Sequence, residues 1–84
     1  MQPISGLRQR LLEVRSSDAP LASWRMLQLE ILEAVKQLRR TAESHLALWA
    51  LMGDAFWLES DRARLSTMIE DVLSEIEHQA RRRP

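Results

Sequence analysis

The segment LALWALMGDAFWL, from Leu46 to Leu58, decides how this chain folds. It holds two of the three tryptophans and the only phenylalanine, and residues 46–52 are apolar on every face of a helix. A helix that is apolar all round is normally enclosed by other elements. Because a chain of 84 residues has few elements to offer, the segment indicates a surface for self-association or for a partner.

Apolar residues spaced three and four apart predict an all-α fold. A short N-terminal helix is expected over roughly residues 4–15, where four apolar side chains share one face: Ile4, Leu7, Leu11 and Val14. A turn follows, in which Ser17 or Asp18 is placed to cap the next helix and Pro20 fits its first turn.

A longer helix, about 50 Å in length, is predicted over residues 19–52. Its heptad-like seam is typical of a coiled-coil hairpin or bundle and comprises Leu21, Trp24, Gln28, Ile31, Val35, Leu38, Ala42, His45, Trp49 and Met52. Gln28 either fixes the register or lies at an exposed edge. His45 is expected to be a hydrogen-bonded core histidine.

Gly53 predicts a helix stop and Asp54 a new N-cap, so the chain is expected to reverse between residues 53 and 60. The last helix is predicted over residues 55–81, and Ser60 with Asp61 offers a second possible start. Its apolar stripe is Leu58, Leu65, Ile69, Val72 and Ile76. The expected fold is a single helical domain over residues 1–84, with the short helix and two long antiparallel helices. We expect two copies to dimerise into a four-helix-like core, because small domains often need added burial.

The charges are balanced overall but unevenly distributed. Residues 1–42 carry seven basic and four acidic groups, residues 43–80 carry two basic and eight acidic groups, and Arg81 to Arg83 add three positive charges. The acidic C-terminal helix therefore complements the basic part of the chain. Folding back within one subunit or pairing in an antiparallel dimer satisfies this asymmetry equally well.

Several function classes are disfavoured by composition. The chain has no cysteine, which removes disulfides, thiolate zinc sites and cysteine nucleophiles. Without a secretory signal or an apolar 18-residue window, we expect a cytoplasmic protein that does not enter the membrane. Phosphate-loop, dinucleotide and nucleophile-elbow motifs are missing from the sequence. We therefore expect no enzymatic activity, no cofactor and no small-molecule substrate.

Two alternative chemistries rest on short patterns. Glu75 and His78 have the Glu-x-x-His spacing that di-iron bundles contribute from a helix, and a dimer that pairs two such helices completes a candidate metal site. Arg8, Arg10, Arg15 and the terminal arginines offer contacts for nucleic-acid phosphates. Glu75 and His78 lie off the apolar stripe, and the chain is neutral overall. We therefore favour solvated helix faces over a metal site and over a nucleic-acid interface.

The favoured function is a non-enzymatic protein–protein interaction module: a small adaptor, chaperone-like, inhibitory or regulatory protein of bacterial or phage type. The predicted anchors, chosen because aromatic residues dominate interfaces, are Leu48, Trp49, Met52, Phe56 and Trp57. Their partner is a second copy, a different protein or both. The competing interpretation is that these side chains plug the tip of the helical hairpin.

Overall fold

The computed structural model describes the backbone of residues 3–37 and 42–81, and the side chains of residues 6–37 and 46–81. Within these ranges the regular structure is helical: α1 (Pro3–Ser16), α2 (Leu21–Gln37), α3 (Ala42–Leu51), α4 (Asp54–Leu58) and α5 (Arg62–Arg81). The all-α prediction is confirmed. None of these described helices combines the length and the apolar character that crossing a bilayer requires.

Helix α5 is the element on which the other long helices pack. It contacts α1, α2 and α3, and α1 also contacts α2. One face of α5 is buried, and its apolar members are Leu65, Ile69, Val72, Leu73 and Ile76. The predicted stripe of the last helix is therefore confirmed from Leu65 onward, whereas its first member, Leu58, is 76% exposed and lies before α5.

The described part of a single chain closes its own apolar core. The buried side chains opposite α5 are Leu7, Leu11, Val14, Ala19, Trp24, Leu27, Ile31, Val35, Leu48, Met52 and Phe56. The radius of gyration is 12.5 Å, close to the roughly 12 Å expected for a compact chain of this length. A second copy is thus not needed to complete this core.

The segment predicted as one helix over residues 19–52 contains two helices, α2 and α3, and residues 38–41 between them lie outside the described residues. A straight helix of that length needs about 50 Å, whereas the longest dimension is 39 Å. The prediction of one straight helix is therefore wrong. The seam holds through Val35 but fails at Trp49, which is exposed while Leu48 and Met52 are buried.

The physical reason is that α3 (AESHLALWAL) is apolar on nearly every side, so periodicity alone does not fix which face is buried. The side chain of His45 lies outside the described residues, and its core position stays a prediction.

The end of α1 differs from the prediction that Ser17 or Asp18 caps the next helix. Asp18 has a φ of 52°, in the left-handed region. Its N–H donates to the Arg15 carbonyl at 3.5 Å, and the Ala19 N–H donates to the Val14 carbonyl at 3.2 Å. These are the bonds of a Schellman motif. Asp18 therefore ends α1, and buried Ala19 and Val14 supply the apolar contact of the motif.

The last predicted helix also begins later than residue 55. The segment contains α4, then residues 59–61, then α5, which begins at Arg62. Gly53 is the N-cap of α4 with a φ of −79°, so it ends α3 without the left-handed conformation of a glycine stop. Asp61 Oδ1 accepts the Ala63 N–H at 2.9 Å. Asp61 therefore caps α5, as the second possible start predicted.

The left-handed backbone conformation at residue 18 allows a direct test of the Schellman motif at the end of α1. We expect Asp18→Gly to be about 1 kcal/mol more stable than Asp18→Ala, because only glycine adopts this conformation without a Cβ penalty. Both variants lose the contact between Asp18 Oδ1 and Arg62 Nη1 at 3.2 Å, so their difference isolates the backbone. Urea unfolding followed by circular dichroism measures it, and equal stabilities contradict the assignment.

Candidate functional site

Helices α3 and α4 expose large apolar side chains beside the core. We call this set the α3–α4 surface: Leu46, Trp49, Leu51 and Leu58. Leu46 is 69% exposed and Leu58 is 76% exposed, and Trp49 and Leu51 are 39% and 36% exposed. The sequence has no charged residue between Glu43 and Asp54. The exposed side of α3 from Leu46 onward is therefore uncharged.

The five predicted anchors differ in burial: three are buried, one is exposed and one is half-buried. Leu48, Met52 and Phe56 are buried in the core, which is the position that the hairpin-plug interpretation gives them. Trp49 lies on the α3–α4 surface. Trp57 is half-buried between these groups: its ring meets Phe56 edge-to-face at 5.0 Å, and its Nε1 donates to the Met52 carbonyl at 3.0 Å.

Sequence reasoning did not name Leu46, Leu51 and Leu58 as candidate contacts. The available signal was the surplus of apolar side chains over what a plug requires. That signal gives the amount of exposed apolar surface, but it does not say which side chains supply it, because α3 lacks a polar face.

Helix α4 is held in place by two polar side chains of α2. Gln28 is fully buried, and its Nε2 donates to the Phe56 carbonyl at 2.7 Å. Arg25 donates to Gln28 Oε1 at 2.9 Å and to the Glu59 carbonyl at 2.7 Å. Carbonyls at the end of a helix have no partner within the helix. The Arg25–Gln28 pair supplies those partners, and Gln28 is a buried bridge rather than an exposed edge.

This bridge matters because α4 spans only residues 54–58. A helix of one turn is not stable alone in water, since nucleation is costly and few hydrogen bonds form. Packing of Phe56 and the bonds from α2 therefore fix where Trp57 and Leu58 lie.

The metal alternative at Glu75 and His78 has little geometric support. His78 is exposed, and Glu75 Oε2 accepts a hydrogen bond from Gln79 Nε2 at 2.9 Å. In the described ranges no three potential histidine or carboxylate ligands come together.

The arginines considered for phosphate binding are engaged by carboxylates of the same chain. Arg8 binds Glu77 with two hydrogen bonds, of 2.7 and 3.1 Å. Arg10 binds Glu30 in the same way, at 3.3 and 2.8 Å, and Arg15 pairs with Glu70 at 2.7 Å. The complementary charges thus meet within one subunit. Arg81 is exposed at the end of α5, and residues 82 and 83 lie outside the described residues.

A shallow groove of about 330 Å³ lies where the end of α1 meets the start of α5. It is lined by Val14, Arg15, Asp18, Trp24, Arg62, Ala63 and Ser66. Trp24 is buried, and its Nε1–H has no hydrogen-bond partner in the described residues. Both arginines are bound by groups of the chain itself. The groove therefore favours no particular ligand class.

Comparison with protein families, characterised proteins and solved structures gives no match to this chain.

The bridge from α2 to α4 predicts that removing the amide group of Gln28 lowers the stability of the fold, even when the volume of the side chain is kept. Gln28→Met keeps the side-chain volume but leaves the Phe56 carbonyl without a donor. We expect a loss of about 1–3 kcal/mol in the free energy of unfolding, measured by urea denaturation. Gln9→Met on the exposed side of α1 is the matched control, expected to change stability by less than about 0.5 kcal/mol. Similar losses in both variants contradict the role of the bridge.

The ion pair between α1 and α5 predicts a pH effect. Hydrogen bonds from Arg8 hold the pKa of the Glu77 carboxyl below its ordinary value. A lowered folded-state pKa adds stability above the ordinary value of about 4.3, and this stability is lost as the pH falls through the folded-state pKa. We expect Glu77→Gln to be less stable than the parent at pH 7, by less than about 1 kcal/mol.

That difference should vanish near pH 2 in urea titrations of both proteins. A difference that persists unchanged at pH 2 shows that Glu77 contributes by packing rather than by charge.

Proposed function

We propose that this protein is a non-enzymatic protein–protein interaction module, an adaptor, chaperone-like or inhibitory protein that acts by occupying a partner's surface. The observation that carries the proposal is the exposure of Leu46, Trp49, Leu51 and Leu58 on consecutive helices beside a closed core. A single exposed leucine is ordinary in soluble proteins. Contiguous exposed apolar patches are typical of interaction sites, and these four large apolar side chains all come from residues 46–58.

The division of the apolar segment supports this assignment. Leu48, Met52 and Phe56 account for the hairpin plug, and they are buried without help from another molecule. The side chains of the α3–α4 surface are the surplus. Tryptophan is enriched among residues whose truncation costs most binding energy, so Trp49 is the proposed central anchor, with Trp57 as its supporting neighbour.

The occupant of the surface is a different protein or a second copy of this chain. The sequence predicts a homodimer because small domains often need added burial, whereas the described part of one chain buries its core alone. Self-association therefore rests on the α3–α4 surface and not on the need to complete a four-helix core.

Site-specific photocrosslinking in the native cell tests the proposal. The photoreactive residue p-benzoyl-phenylalanine replaces Leu58 in one variant and Met26, which is 57% exposed on α2, in the control. We expect a discrete cross-linked species from position 58 and none from position 26. Adding Trp49→Glu to the first variant should reduce the yield at least tenfold, with helix content unchanged by circular dichroism.

Equal cross-linking from both positions, or a yield that does not respond to Trp49→Glu, contradicts the proposed surface.

A further inference from the structure

We infer that α4 detaches from the rest of the fold and reattaches as a unit, while α1, α2, α3 and α5 stay packed on one another. The inference goes beyond the proposed function, because it concerns how the α3–α4 surface is assembled and not what occupies it. The contacts that hold α4 and the backbone at its two ends carry it.

Helix α4 lacks the extensive packing that joins the other helices. The packed pairs are α1 with α2, α1 with α5, α2 with α5 and α3 with α5, and among the described residues α4 belongs to none of them. Of its five residues only Phe56 is buried, and Trp57 packs against the core from a half-buried position. The other buried apolar side chains of the core lie outside α4, so they keep one another as neighbours when α4 detaches.

Two hydrogen bonds from α2 add to the burial of Phe56. Gln28 Nε2 donates to the Phe56 carbonyl and Arg25 Nη2 donates to the Glu59 carbonyl, both at 2.7 Å. The net stability from such a bond is small, because water replaces the partner when the groups separate. These bonds therefore direct how α4 docks without fixing it permanently.

The turn of α4 has little stability of its own. The N–H groups of Phe56 and Trp57 both donate to the Gly53 carbonyl, at 3.0 and 3.4 Å, and the Glu59 N–H donates to the Ala55 carbonyl at 3.1 Å. A single turn costs more to nucleate than so few hydrogen bonds return. Docking and folding of α4 are therefore one event, and the segment opens as a unit.

The backbone on both sides of α4 is extended. Gly53 has φ −79° and ψ −168°, and Glu59 has φ −64° and ψ 130°. Residues at the ends of an element absorb changes of φ and ψ without breaking the neighbouring helices. Helix α5 begins only at Arg62 and has its own cap at Asp61. Rotation at residues 53 and 59 therefore releases α4 and leaves α3 and α5 unchanged.

Detachment divides the α3–α4 surface. Leu58 and the supporting Trp57 lie on α4, whereas Leu46, Trp49 and Leu51 lie on α3. The complete surface is present only when α4 is docked, so a molecule that contacts both helices shifts the population toward the docked state. This consequence rests on the proposed function, whereas the detachment itself does not.

Hydrogen exchange of backbone amides, followed by NMR on the full chain without a partner, tests the inference. The α4 amides are those of Phe56, Trp57 and Glu59, and the reference amides are those of Ile69 and Val72 in α5. After correction for intrinsic rates, we expect the α4 amides to exchange at least about tenfold faster. Low concentrations of urea should accelerate exchange in α5 but hardly in α4, because local opening exposes little surface.

Two variants separate local opening from unfolding of the whole chain. Ile76→Val changes the core about 21 Å along α5 from Arg62. It should accelerate exchange of the α5 amides about threefold to tenfold and leave the α4 amides unchanged.

Gln28→Met acts on the docked state of α4 directly. It should accelerate exchange of all three α4 amides by the same factor, at least about fivefold. The matched control Gln9→Met, at an exposed position of α1, should leave the exchange of both sets of amides as in the parent.

Three results overturn the inference. The first is equal protection of the α4 and α5 amides. The second is an Ile76→Val variant that accelerates both sets by the same factor, because α4 then opens only when the whole chain unfolds. The third is an absent or uneven response of the α4 amides to Gln28→Met. None of these results alters the cross-linking expected from position 58, so failure of this inference is distinguishable from failure of the proposed function.

Discussion

Burial of one face of α5 against α1, α2 and α3 is the interaction on which the rest of the structure depends. Each of these helices buries apolar side chains against the leucine, isoleucine and valine of α5. Hydrophobic burial is not directional, and the packing of side chains between helices limits their orientation. The ion pairs of Arg8 and Arg15 with α5, and of Arg10 with α2, join α1 to both helices at the edge of the core.

The sequence predicted those elements in which polar and apolar residues alternate with a clear period. In α1 and α5 the charged residues leave one apolar face, so the spacing identified Leu7, Leu11, Val14 and the stripe of α5 correctly. The same spacing of three and four residues places Gln28 on the seam. In α3 there is no polar face, and the same rule assigned Trp49 to the buried side. Periodicity carries information only where two faces differ.

Other differences concern residues that suit more than one local role. In the structure Asp18 ends α1 and Gly53 is the N-cap of α4. The division of the predicted anchors into buried and exposed side chains depends on how α3 meets α5. Likewise, complementary charges at the two ends predicted an association without saying whether it lies within one chain.

The bridge from Arg25 and Gln28 to the carbonyls of Phe56 and Glu59 has a consequence for mutational scanning. Residues that shape a binding surface from behind are scored together with residues that touch the partner, because both weaken binding when changed. A scan read only by loss of association would map part of the interface onto the buried side of α2. Measuring folding stability alongside affinity would identify those positions as structural. The solvent-facing side chains of α3 and α4 would then remain as the proposed contact residues.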